Sequence, residues 1–253
     1  MKEFIYSRNA VYETLRAGRR QVFRLEIAQG VQEKGRILDI LQMARERKIP
    51  VLSAPRAGLD KIHPAHQGVI LESSGYPYRN LSDMLDLAAQ RGEPAFLLIL
   101  DTLKDPQNFG TLLRTAEAVG VHGVILPLAR TVGVTPAVVN ASSGAAEHLV
   151  IAQTNLAQTM DELKEKNIWL VGMDEEGELL EGRGKEGMRA SPFSGAVGIV
   201  IGSEGEGIRP LVRSKCDFLV RLPMQGQVES LNAAVAGSVA LYLAYLERKN
   251  NSF

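Results

Sequence analysis

The chain has 253 residues, 45% hydrophobic and 23% charged, the composition of a globular protein with a sizeable core. Its formal net charge is zero, yet residues 1–75 hold 13 Lys+Arg against 8 Asp+Glu, a basic surplus that the remaining residues cancel. Cys216 is the only cysteine, which excludes an internal disulfide and points to a reducing, cytoplasmic setting, and no apolar run reaches the length of a signal-peptide core or a bilayer span, so no membrane partner is expected.

In chain order, Ser7 is expected to cap a helix running through Leu15 that Gly18 ends. "VFRLEIA" (22–28) reads as a strand, and "EKGRILDILQMARERK" (33–48) places Ile37, Leu38, Leu41 and Ala44 at helical spacing. "IPVLSA" and "QGVILES" follow as strands, and "SSGYPY" (73–78) breaks both periodicities as a linker. These signals divide the chain into a small α/β module over 1–75, a linker and first helix over 76–94, and a larger domain over 95–253. The basic surplus makes the first module a candidate for binding a polyanion.

The larger domain alternates again. "AFLLILD" (95–101), "GVILPL", "IWLVGM" and "AVGIVIG" read as buried strands, separated by helices at "NFGTLLRTAEAVG" (108–120), "AVVNASSGAAEHL" and "NLAQTMDELKEKN". Near-continuous apolar strands between amphipathic helices predict a mostly parallel sheet covered on both faces. The acidic, Gly-rich stretch 174–191 is expected to be an exposed loop.

Several chemistries fall away. The histidines His63, His66, His122 and His148 are scattered, so no metal is expected. There is no phosphate-binding G-x-x-x-x-G-K-[ST] loop and no G-x-S-x-G nucleophile elbow, and "GSEGEG" reverses the dinucleotide fingerprint. Three polar islands remain: "LDTLKDPQNFGTLLRTAEAVG" (100–120), "GIVIGSEGEGIRP" (198–210) and "VRLPMQGQVESLNAAVAGSVALYLAY" (220–245). Each follows the C-terminal end of an apolar strand, where open α/β sheets bind ligands. They offer Asn, Arg, Glu, Ser and Asn, with no evident nucleophile or histidine base, a set suited to holding and orienting two substrates. A long helix is expected from near Glu229, with Ser230 and Asn232 in its first turn, and it is dense in Ala233, Ala234, Ala236, Gly237, Ser238 and Ala240, small residues that read as close packing.

"DPQNFGTLLRTAEAVG", "IVIGSEGEGI" and "LPMQGQVESLNAAVA", in this order, resemble the three motifs of the SpoU–TrmH (SPOUT) family of RNA ribose 2′-O-methyltransferases. "SRNAVYETLRAG" and "HQGVIL" resemble the ribosomal-protein-like RNA-binding domain that precedes the catalytic domain in ribosomal-RNA members. The resemblance implies a parallel-sheet domain whose C-terminal segment is threaded into a trefoil knot, and a homodimer. It implies S-adenosylmethionine as methyl donor, held by Ile201, Gly202, Leu222, Met224 and Leu231, without a metal. That ligand carries positive charge and no phosphate, which suits a glycine loop bearing Glu204 and Glu206.

By position in the motifs, the resemblance makes Arg114 the catalytic arginine, with Asn108, Glu204, Ser230 and Asn232 around it. A guanidinium stays protonated, so Arg114 is read as a clamp on the phosphate beside the target ribose that also steadies the alkoxide, its rotamer fixed by Glu204. The implied substrate is RNA, with a guanosine of large-subunit (23S) ribosomal RNA favoured over transfer RNA. A non-catalytic ribosome-assembly protein is the alternative from another class. Arg8, Arg16, Arg19, Arg20 and Arg24 are the candidate phosphate contacts of the first module.

Overall fold

The computed structural model describes residues 2–180, 191–203, 205–227 and 230–250. Glu204 and residues 181–190 of the acidic stretch lie outside the described residues. The chain forms two compact units, one of Met1–Pro77 with Gly133–His148, the other of Tyr78–Val132 with Leu149–Phe253.

The first unit contains β1 (Lys2–Tyr6), α1 (Arg8–Ala17), β2 (Val22–Ala28), α2 (Arg36–Glu46), β3 (Val51–Ala54), α3 (Arg56–Ile62) and β4 (Val69–Ser74). Its sheet runs β1-β4-β2-β3, with β4 antiparallel to both neighbours and β3 parallel to β2. α2 buries Ile37, Ile40, Leu41 and Ala44, a single stripe at helical spacing. Leu38, expected on that stripe, is 47% exposed, because it sits one step around the helix from Ile37. Gly18 ends α1 in the left-handed conformation as expected, but Ser7 has φ 74° and its side chain makes no capping hydrogen bond.

Residues 133–148 interrupt the second unit in sequence yet pack within the first. The expected single helix over "AVVNASSGAAEHL" is broken into α6 (Pro136–Ala141) and a 3₁₀ turn, Ala145–His148. Ser143 and Gly144 have φ 54° and 90° and end the helical path. A Cβ on Gly144 would lie 2.5 Å from the Glu13 Cβ, so only glycine permits the approach of this turn to α1.

The second unit contains α4 (Leu81–Arg91), β5 (Phe96–Leu100), α5 (Pro106–Ala118), β6 (Gly123–Pro127), β7 (Ile151–Thr154), α7 (Leu156–Glu165), β8 (Trp169–Leu179), β9 (Val197–Ile201), α8 (Pro210–Arg213), β10 (Phe218–Arg221) and α9 (Ala233–Asn250). All six strands are parallel, in the order β10-β8-β9-β5-β6-β7. Every residue of β5, β6 and β9 is buried, the pattern of strands covered on both faces. Each large apolar side chain among them contributes about 1.5–3 kcal/mol of burial energy.

Two expectations change here. Residues 174–179, read as loop, continue β8, and Glu178 and Leu179 pair with Val220 and Arg221 of β10. Asp174 is anchored there by Arg213, whose Nε donates to it at 2.7 Å and holds its carboxyl below the usual range. α9, expected from about Glu229, begins at Ala233.

Candidate functional site

β5 ends in the buried carboxylate of Asp101, which accepts from the Arg209 backbone N–H at 2.9 Å and from its Nε at 2.8 Å. This charge-assisted contact ties the end of β5 to the far end of the glycine loop. Asp105 then caps α5, accepting from the N–H groups of Gln107 (3.0 Å) and Asn108 (3.3 Å), with Pro106 at the first helical position. Because Asp105 is the cap, the Asn108 side chain is released from that task. Its Oδ1 accepts from Asn232 Nδ2 at 3.3 Å, joining the first polar island to the third.

Asn232 serves twice. Its Oδ1 accepts from the N–H groups of Ala234 and Val235 at 2.9 and 3.2 Å, so it caps α9 while its amide reaches Asn108. The two helices are joined again about two turns on by Thr115 and Ser238, hydroxyl to hydroxyl at 2.9 Å. The small residues of α9 allow this approach: a Cβ on Gly237 would come 2.7 Å from Leu112 Cδ2 and 3.2 Å from Ile201. Arg114 is exposed on α5, about two turns past its start at 3.6 residues per turn. Ser230 is exposed ahead of α9 rather than within its first turn.

The glycine loop closes on itself. Ser203 N–H donates to Gly207 O at 3.0 Å and Gly207 N–H donates to Ser203 O at 3.1 Å, so two of its amides are already spent. A Cβ on Gly202 would lie 2.1 Å from the Gly207 carbonyl carbon, which bars any side chain there. Gly205 and Gly207 hold φ 83° and 65°, the left-handed region that glycine enters freely. A loop whose amides bond each other makes a poor phosphate cradle. Ser203 Oγ is buried and meets no hydrogen-bond partner among the described residues. Ile201 and Gly202 are buried, Leu222 is half-buried, and Met224 and Leu231 expose apolar side chains.

In the first unit the five arginines divide. Arg20, expected to meet RNA, has a fully buried side chain: Nε donates to Glu147 at 2.9 Å and Nη1 to Glu3 at 2.6 Å. Burial by itself would lower its pKa, but Glu147 and then Glu3 outweigh it and raise it. Arg20 is therefore a structural ion, and that expectation is corrected. Arg24 is half-exposed but bonded to Glu26 and Glu72, each at 2.9 Å. Arg8 is exposed, its Nε donating to Gln67 O at 3.0 Å, and Arg19 donates to His148 O at 3.1 Å. Arg16 is exposed beside Glu13. Runs of sequence show where arginines are dense; they do not show which carboxylates will meet them.

Comparison with known proteins finds two family matches along the chain. Residues 95–242 match the model of the SpoU rRNA Methylase family, and residues 4–79 match that for RNA 2′-O ribose methyltransferase substrate binding. The chain belongs to the SpoU rRNA methylase family. It is 41% identical over 248 residues to YacO of Bacillus subtilis (strain 168), assigned to the TrmH family of tRNA/rRNA methyltransferases, a match covering 97% of this chain and 96% of the relative. Among solved structures, the SpoU methyltransferase AviRb from Streptomyces viridochromogenes, in complex with AdoMet, superposes with TM-score 0.78 at 22% identity, over 98% of this chain and 91% of that one. An AdoMet-bound rRNA methyltransferase from Sinorhizobium meliloti does so with TM-score 0.72 at 22% identity, over 96% and 86%.

The SpoU match spans residues 133–148, which in three dimensions pack with the substrate-binding unit. Among the described residues of this SpoU methylase no group of three or more His, Cys, Asp or Glu could hold a metal ion. No described helix is long and apolar enough to cross a membrane. The Cys216 thiol, pushed up to about 12 chiefly by burial, stays protonated.

Proposed function

We propose that this RNA methyltransferase transfers a methyl group from S-adenosylmethionine to a ribose 2′-hydroxyl, with a guanosine of large-subunit ribosomal RNA as target. The observation that carries the reading is the Asn108–Asn232 contact, which joins two motifs 124 residues apart, one on α5 and one at the start of α9, the helix packed on the glycine loop's strand. The substrate-binding match over residues 4–79 supports a 2′-hydroxyl as acceptor. The ribosomal choice is supported by the likeness to the Sinorhizobium meliloti rRNA methyltransferase, which extends over both units of this chain.

The residues present suit the cofactor. Ser203 Oγ is a buried polar atom in the loop with no hydrogen-bond partner among the described residues, while Met224 and Leu231 offer apolar surface for an adenosine. S-adenosylmethionine, when bound, supplies an activated methyl group on a cationic sulfur. Ile201, Gly202 and Leu222 would complete its pocket. Arg114 grips the phosphate next to the target ribose with its planar guanidinium, steadying the 2′-oxygen as its proton leaves to solvent. Asn108 and Asn232 hold α5 and α9 together and so fix where that guanidinium stands. Glu204, the proposed partner of Arg114, and Ser230 complete the set. Arg8, Arg16 and Arg19 are the remaining candidate RNA contacts of the first unit.

We also infer a homodimer with the knotted chain path of the resemblance. Val235, Val239, Tyr242, Leu243 and Leu246 leave one apolar stripe of α9 between 38% and 51% exposed, and a second copy would cover it. The deciding experiment incubates the protein with labelled S-adenosylmethionine and either unmethylated large-subunit ribosomal RNA or bulk transfer RNA, then maps alkali-resistant linkages. Label at one ribosomal ribose is the expected outcome. Label in transfer RNA alone overturns the target and keeps the chemistry.

A further inference from the structure

At the C-terminal ends of β5 and β6 an open hollow of about 420 Å³ is lined by Lys104, Arg130, Thr131 and Val132. Its two walls are locked together. Val132 N–H and the Thr131 hydroxyl both donate to Leu103 O, each at 2.8 Å. Thr102 and Arg130 hold φ 60° and 62°, a region that costs energy for residues with side chains and persists only where the surroundings enforce it. Thr102 Oγ1 donates back to Asp101 O at 2.7 Å, which helps fix the first of these turns.

The charge balance of the hollow is one-sided. Lys104 and Arg130 are exposed, and neither has an ion pair or side-chain hydrogen bond among the described residues. The two carboxylates closest to Lys104 in sequence are engaged elsewhere: Asp101 by Arg209, and Asp105 by the first amides of α5. Two cations in a pre-shaped concavity form an anion site, and the planar guanidinium fork suits phosphate oxygens. No spacing in the sequence pairs Lys104 with Arg130. The parallel neighbours β5 and β6 bring them together by ending side by side.

Resting on the RNA methyltransferase reading, we propose that this hollow holds a phosphodiester of the RNA backbone, separate from the phosphate assigned to Arg114. It sits where open parallel sheets receive ligands and is built from loops other than the glycine loop and the 222–231 segment assigned to the cofactor. Its role is positional: a second grip on the backbone fixes the direction in which the strand crosses the site.

The test compares the full-length protein with a Lys104→Gln, Arg130→Asn variant; asparagine tolerates the left-handed turn that Arg130 occupies. S-adenosylmethionine binding by calorimetry checks that the fold survives. Affinity for an unmodified large-subunit ribosomal RNA transcript and for bulk transfer RNA is then measured across a salt series. The expected result is unchanged cofactor binding, RNA affinity about tenfold weaker or more at low salt, and a log–log salt slope shallower by about 0.7–0.9, the share of one lost phosphate contact. The charge-keeping pair Lys104→Arg, Arg130→Lys retains most of the slope. Unchanged affinity and slope overturn the proposal, as does an equal loss from Lys166→Gln, an exposed lysine on another face. Because the readout is binding, a wild type that binds RNA steeply but transfers no methyl group defeats the methylation reading and leaves the hollow standing. A wild type that binds neither RNA overturns both.

Discussion

Cations serve contrasting ends in the two units. In the first, Arg20 is buried between Glu147 and Glu3, and Arg24 lies against Glu26 and Glu72, so part of the basic surplus of residues 1–75 is consumed in holding the unit together. In the second, whose segment of sequence is the acidic one, Lys104, Arg114 and Arg130 stand exposed where the strands β5 and β6 run out or on the helix that follows. Net charge over a stretch of chain therefore does not say which of its cations are spent inside the fold and which stay exposed. What matters is whether a cation's neighbours in space carry carboxylates.

The sharpest way to break this contrast is to remove one cation from each side. Arg114→Ala should lower methyl transfer about a thousandfold, the scale of losing a preorganised charge at a reacting centre, while cofactor binding persists. Arg114→Lys should recover only a small part, because an ammonium cannot reproduce the two-pronged grip; near-full turnover in label counting would defeat the clamp role. In the first unit, Glu147→Ala leaves Arg20 buried with Glu3 as its one carboxylate among the described residues. It should cost about 3 kcal/mol in urea unfolding, as breaking buried pairs does, with Glu147→Gln costing less. An unchanged midpoint would mean that Arg20 reaches water and is again available to RNA.

Smaller effects sharpen the account of the second unit. Gly202→Ala would drive a Cβ into the Gly207 backbone and open the loop. S-adenosylmethionine affinity should drop about tenfold or more, equivalent to 1.4 kcal/mol or above, and calorimetry would read it. The smallest effect concerns pH. Phe96 N–H donates to His122 Nδ1 at 3.0 Å, so the folded ring is neutral there, and Nε2 faces Glu93. Burial, as the largest cause, lowers the His122 pKa below its ordinary 6.5 despite Glu93. The unfolded chain thus takes up the proton first on acidification. The stabilisation is complete above that ordinary value and is lost as pH falls towards the folded one. His122→Gln should flatten the decline in unfolding midpoint between pH 7 and 5.

Much of the fold was legible in the chain because period and turn chemistry agreed. β2 was read with its observed ends, and β5, β6 and β9 followed from runs of apolar residues that only a doubly covered sheet accommodates. β1 and α3 went unread: "KEFIY" is short, and its partner β4 lies more than sixty residues away. β8 was cut short at 174 because its outer half is acidic, and its pairing with β10 overrode that composition. Of the site, Asn108, Arg114, Gly202 and Asn232 were named from motifs. Asp101, Lys104, Arg130 and Arg209 were missed, since single charges at strand ends carry no periodic signal.

The sequence by itself determined the alternation of strand and helix, the glycine positions and the family, because these depend on local sterics and on residue order. Only the tertiary structure decided that residues 133–148 pack with the first unit, that Arg20 is a buried ion, and that Asn108 meets Asn232. Those facts depend on which segments meet across distances of a hundred residues and more. A buried charge is tolerable only where a specific opposite charge arrives, and nothing local in the chain names that partner.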